Sequence, residues 1–155
     1  MKHLPLVRLL AVALVACGGD SKRCENADGF EAAVAELIAD SHAVPVELRE
    51  LTKFEWTRLD AFGEYSPTAR VRARTGLEYR ESWWQHVHVP ESHTLLVFTG
   101  HAGFVCYVEV ENANSPIAKW SFGPSIFQEA GIPASDARFV VDRSGKIPIL
   151  ELRAR

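Results

Sequence analysis

The chain has no surplus of positive charge. Its 17 Lys and Arg stand against 20 Asp and Glu, a formal net charge of −3, so the basic field that nucleic-acid binding needs is missing. No apolar run is long enough to span a bilayer, and the one short run lies at the N-terminus. There is no G-x-S-x-G elbow, no phosphate-cradling glycine loop, no H-E-x-x-H and no C-x-x-C. The chain therefore lacks the signatures of the common serine hydrolases, nucleotide enzymes, zinc peptidases and thiol redox proteins. Internal repeats, low-complexity tracts and a second domain boundary are missing too. What is there is 155 residues with 47% hydrophobic and 24% charged side chains, enough for one globular domain with a core.

Met1-Lys2-His3 and Arg8 give the N-terminus a basic start, and Leu9 to Ala16 then reads Leu-Leu-Ala-Val-Ala-Leu-Val-Ala. That is about half the length of a spanning helix. A charged start, a short apolar stretch and a small residue at its end make an export signal. Leu14-Val15-Ala16-Cys17, followed by Gly18-Gly19-Asp20-Ser21, resembles the lipobox of bacterial lipoproteins. The resemblance implies cleavage between Ala16 and Cys17, diacylglycerol on the Cys17 sulfur, and a further acyl chain such as palmitate on the new amino group. One acyl chain binds a bilayer marginally; two or three hold firmly, at about 0.8 kcal/mol per buried CH₂. Gly18 rather than Asp after Cys17 favours an outer membrane where the source has one, with the domain in the periplasm. Residues 1–16 thus read as signal, 17–26 as a flexible tether and 27–155 as a single domain. Cleavage removes Lys2 and Arg8 and no acid, so the mature chain is more acidic still. Anionic lipid repels such a domain, which is not expected to lie flat on the surface.

Two further cysteines, Cys24 and Cys106, form an even pair in an exported chain, where disulfides persist. A bridge between them closes a loop of about 80 residues and stabilises by roughly 4 kcal/mol in the chain-entropy model. The alternative is a buried Cys106 thiol and a free Cys24.

Phe30, Ala33, Val34, Leu37 and Ile38 fall on one helical stripe, predicting a helix over Gly29 to Asp40 with Asp28 and Glu31 at its start. Pro45 to Phe62 reads as extended, with a parity switch near Thr57-Arg58 that suggests a bulge or a bend. Ser66-Pro67 and Gly76 bracket a second helix. Its Arg70, Arg72 and Arg74 do not share one stripe and read as a solvated surface. His93 to Thr99 and Phe104 to Glu111 make a hairpin, with Phe104, Cys106, Val108 and Val110 on one face. A helical turn is expected near Ser125 to Ala130, and a second hairpin from Ala137 to Leu152. Pro148 marks the last strand as an edge. The fold expected is α+β, two helices packed on one face of an antiparallel sheet of four or five strands.

His86 and His88 alternate on a predicted strand and share its face, so both can reach one Zn²⁺ or Cu²⁺ ion, with His93, His101 or Glu91 as the third donor. Glu109 and Glu111 share a strand face that reads as solvated. Cys106 sits mid-strand among apolar neighbours, a poor place for a nucleophile. Adjacent Trp83 and Trp84 cannot both point inward from a strand, so one is a candidate anchor for a partner protein.

The stretch Phe54-Glu55-Trp56, Phe62-Gly63-Glu64-Tyr65-Ser66-Pro67, Gly76, Leu95-Leu96-Val97-Phe98, Val105 to Val110 and Arg138-Phe139 resembles a loose family of small bacterial envelope proteins of unassigned activity. Thr57 and Glu64 depart from it, where an acid and a proline are usual. The resemblance implies compartment and fold only. At fold level the order of elements is similar to that of the small lipoprotein accessory of outer-membrane protein assembly. The expected role is a lipid-anchored, non-enzymatic protein-binding module: a scaffold, inhibitor or immunity-type factor, with another envelope protein as partner. The alternatives are a small-ligand or metal binder using His86 and His88, and an envelope hydrolase without a recognisable motif.

Overall fold

A computed structural model describes residues 22–25, 27–40, 45–79, 88–111 and 121–153. In chain order the elements are α1 (Ala27–Ala39), β1 (Val46–Glu47), α2 (Leu48–Leu51), β2 (Arg58–Phe62), α3 (Thr68–Thr75), β3 (His93–Gly100), β4 (Gly103–Glu111), β5 (Ser121–Phe122), a 3₁₀ turn (Pro124–Ile126), β6 (Ile132–Pro133), β7 (Arg138–Asp142) and β8 (Ile149–Arg153). No helix among the described residues is long and apolar enough to cross a membrane.

β3 decides the architecture. Thr94 to Thr99 are buried without interruption, so both faces of this strand must be covered. Leu96 and Phe98 face one apolar cluster, Leu95 and Val97 the other. The first cluster gathers α1 through Phe30 and Val34, and a second sheet through Phe122, Phe139 and Leu150. The second holds Phe62, Val71, Leu77 and Tyr79, with Phe104 and Tyr107 against it. Each fully buried side chain of this size contributes about 2 kcal/mol of transfer free energy.

The α+β class holds, but the strands are divided between two four-stranded sheets. The orders are β4-β3-β2-β6 and β1-β7-β8-β5. The two helices expected on one face lie on opposite faces of the β3 sheet: α1 packs with the even residues of β3, α3 with the odd ones. The reason is burial. A single sheet covered on one side would leave Leu95, Val97 and Phe62 in water.

Several local expectations change for equally physical reasons. Leu48 to Leu51 form a helical turn inside the stretch expected to be extended, and β2 begins only at Arg58. The parity switch is real: Phe54, Trp56, Leu59 and Ala61 all reach the same core across the bend at Thr57. A register shift between Phe98 and Thr99 bulges β4 at Val105. Phe104 is thereby turned to the face opposite Cys106 and Val108. Pro148 precedes β8, which runs between β7 and β5 and is no edge; the proline carbonyl accepts from the Ser121 amide. α3 ends as its sequence requires. Gly76 at φ 75° donates its amide to the Arg72 carbonyl, a left-handed cap that glycine adopts without Cβ strain.

Residues 22–25, given to the tether by composition, pair with β4. Arg23 bridges Tyr107 in parallel register, and the sulfurs of Cys24 and Cys106 lie at disulfide distance with their Cα atoms 4.9 Å apart.

Candidate functional site

The β3 sheet has two unlike ends. Arg58 opposes Thr99, and Gly100 opposes Gly103, at the end closed by the β3–β4 turn. Phe62 opposes Leu95, and His93 opposes Glu111, at the other. One surface feature stands at each end.

At the turn end a groove of about 680 Å³ opens between the segment entering β2 and the β3–β4 turn. Its walls are Phe54, Trp56, Phe104 and Val105, and its polar groups are Arg49, Glu55 and His101. The aromatic walls are fixed from behind. The Phe54 and Trp56 rings meet Phe98 edge-on at 5.1 and 5.2 Å, and the Trp56 indole donates to the Thr52 hydroxyl at 2.9 Å. Arg49 reaches the Trp56 carbonyl at 3.4 Å. Volume and lining are those of a preformed site for a small or extended apolar group. A smaller cavity shares Phe54 and Val105 with it and extends to Lys22, Glu25 and Lys53.

At the opposite end the chain is held in a strained corner. Tyr65 and Ser92 both have positive φ, 62° and 59°, a conformation that costs about 1–3 kcal/mol outside glycine. Two turns brace each other there. The Tyr65 amide donates to Val89 and the Val89 amide to Ser66, both at 2.9 Å, while the Ser92 amide donates to the Glu64 carboxylate at 2.9 Å. The result displays Tyr65, which is 54% exposed, while Phe127, 40% exposed, lines a small cavity with Ser66 and Arg70. The Phe127 ring lies over Gly63, where an added Cβ would come within 3.6 Å of it. Partial desolvation, then Glu91 as charge and as hydrogen-bond acceptor, then Glu64, hold the Tyr65 phenol above the ordinary tyrosine range.

Between the two ends, on the middle of β2, lies an ionic cluster. Asp60 is 1% exposed and accepts from Arg58 Nε at 2.8 Å and Arg74 Nη2 at 2.5 Å. Arg58 also donates to the Arg74 carbonyl, and Arg74 to the Gln128 carbonyl. The Arg74 guanidinium stacks over Phe62 at 5.1 Å. The loop comes so close that only glycine fits at 131: φ is +72°, and a Cβ there would stand 2.9 Å from Asp60. Arg74 is therefore a structural ion pair and not the solvated residue expected. Arg70 lies exposed with Glu129 3.9 Å away.

Of the residues singled out in the sequence, Cys17, Ala16, Trp83, Trp84 and His86 lie outside the described residues. His88 sits at the strained corner, its ring 5.5 Å from that of Tyr65. His93 is at the same end, while His101 is at the turn end, in the groove. His101 therefore lies too far along the sheet to join His88, whereas His93 and Glu91 share the end where His88 sits. The set built on His86 and His88 turns on a residue outside those described. Among the described residues no group of three or more His, Cys, Asp or Glu is placed to hold a metal. On the strand face expected to be solvated, Glu111 is exposed opposite His93, while Glu109 is half-buried and accepts from the Tyr79 hydroxyl. The groove escaped sequence reading because its two walls come from segments about fifty residues apart. Nothing in the sequence Gly63-Glu64-Tyr65 indicates that the tyrosine takes positive φ.

No family model, curated protein or solved structure matches the chain.

Proposed function

We propose that this protein is a lipid-anchored envelope protein whose α+β domain binds another envelope protein and carries out no chemistry of its own. The observation that carries this reading is the placement of Cys24 and Cys106. A cysteine pair at disulfide distance, seven residues after the lipobox cysteine, suits an oxidising compartment. It also gives the acylated terminus a rigid point of attachment. The strained corner supports the binding role. Tyr65 and Phe127 offer apolar area, Arg70 offers a guanidinium, and an aromatic beside an arginine is the usual composition of a contact hot spot. The partner fitted to it carries a carboxylate beside an apolar side chain.

Two measurements test the reading. Protein extracted from bacterial membranes should begin at Cys17 and carry diacylglycerol there, while Cys17→Ser should leave the membrane fraction. A photo-crosslinker in place of Tyr65 should give one defined protein adduct in intact cells, and the same probe at Lys146 should not. A chain of full length in the cytosol defeats the anchoring, and an adduct pattern indifferent to probe position defeats the binding surface.

A further inference from the structure

The chain joins the fold in a direction that orients the whole domain. Arg23 pairs with Tyr107 in parallel: the Cys24 amide donates to the Tyr107 carbonyl at 2.8 Å, and the Tyr107 amide to the Lys22 carbonyl at 3.1 Å. Because the pairing is parallel, going back from Arg23 leads the same way as going back along β4 from Tyr107, toward Gly103. The chain therefore enters the fold at Lys22 from the side of the β3–β4 turn and not from the side of Tyr65.

Length makes the direction matter. Six residue steps separate Cys17 from Arg23, a reach of at most about 20 Å. The level of Gly103 lies four residues beyond Tyr107, about 13 Å along the strand. A chain continued in the direction set at Arg23 thus has only about 7 Å left beyond the end of the sheet. Resting on the lipid anchor proposed above, we infer that the β3–β4 turn end is the bilayer-facing end of the domain, and that the rim of its groove contacts phospholipid.

The rim has the chemistry for that contact. Phe54 and Phe104 line the mouth and offer apolar surface for the headgroup–acyl boundary. The exposed Arg49, Lys53 and His101 offer donors for phosphate. Glu55 is the acid at the mouth, and the carboxylate of Glu25 in the adjoining cavity is paired with Lys22 at 2.6 Å. The acidity of the chain as a whole therefore does not describe this end.

The test is hydrogen exchange on the full lipidated protein in phosphatidylethanolamine–phosphatidylglycerol vesicles, against Cys17→Ser in buffer, with the lipid on Cys17 first confirmed by intact mass. Amides of 100–105 should exchange at least several-fold more slowly on vesicles, with 63–66 and 127–131 unchanged. Replacing the exposed Lys53 and Ala102 together by Glu should abolish that slowing while leaving the lipid in place. Lipid on Cys17 with no slowing at 100–105, or slowing at 63–66 instead, overturns the orientation alone. Absence of lipid overturns the orientation together with the anchor.

Discussion

Replacing Cys24 and Cys106 together by alanine measures what the clamp contributes. The two residues are 82 positions apart, and closing a loop of that size removes about 4.5 kcal/mol of freedom from the unfolded chain. At about 2.1 cal/mol/K of unfolding entropy per residue, a domain of about 130 residues loses near 16 °C of melting temperature. Both cysteines are only 4% exposed, so the alanines also leave a small void. Wild-type protein with and without reductant separates the two effects, since reduction opens the loop without removing sulfur. The assay is thermal unfolding followed by circular dichroism, with a urea series alongside. The urea slope should rise when the loop opens, because the unfolded chain then exposes more surface. Local loosening should accompany the global loss: the amides of Cys24 and Tyr107, which bond across the junction, should exchange faster in the variant. A melting temperature indifferent to reductant would refute the reasoning. So would two alkylatable thiols in unreduced, denatured protein.

Two further perturbations address the ionic cluster on β2 and the strained corner. Asp60→Ala leaves Arg58 and Arg74 without the carboxylate between them and should cost about 3 kcal/mol in urea unfolding. That is the low end for a broken buried pair, because both arginines keep some access to water; a loss under 1 kcal/mol would mean the cluster is not a structural tie. Tyr65 has a folded pKa raised above the ordinary value of 10.0. Its contribution to stability is thus fully present below that value and disappears as pH rises through the folded one. Absorbance at 295 nm should show a step above pH 10 that Tyr65→Phe removes and Glu91→Gln moves down. A step unmoved by Glu91→Gln would contradict the cause assigned.

The parts of the fold that were legible are those fixed by local chemistry. The β3–β4 hairpin reads from its run of strand formers on either side of Gly100-His101-Ala102-Gly103, and the end of α3 reads from Gly76. The apolar stripe Phe30, Val34, Leu37, Ile38 gives α1 to within two residues. What was not legible depends on partners chosen across the chain. The unbroken apolar run Leu95 to Phe98 leaves neither face polar, but it does not say that one face takes a second sheet and the other α3. Phe104 changes face through one inserted residue that no periodicity announces. Pro148 weakens a strand only if it lies within it, and it lies just before. The Asp60 cluster is built from β2, α3 and the 127–131 loop, three segments with no common sequence signal.

The two ends of the β3 sheet answer different demands, and the strand between them explains how both are met. Six consecutive residues of β3 are buried on both faces, so the distance from turn to corner, about 25 Å for eight residues, is a fixed spacing. Strain at Tyr65 and Ser92 has to be borne by something that does not yield. The two backbone bonds linking Tyr65 and Ser66 to Val89, with the Ser92 amide held by the Glu64 carboxylate, are that support. A surface held in this way loses little side-chain and backbone entropy when a partner meets it, and so keeps more of its contact energy as affinity. On the orientation proposed, with the turn end against a bilayer, Tyr65 would stand roughly 25 Å above it. At that height it would face away from the lipid, and a partner of the kind proposed would have to present its own contact there, by its size or by its own anchor.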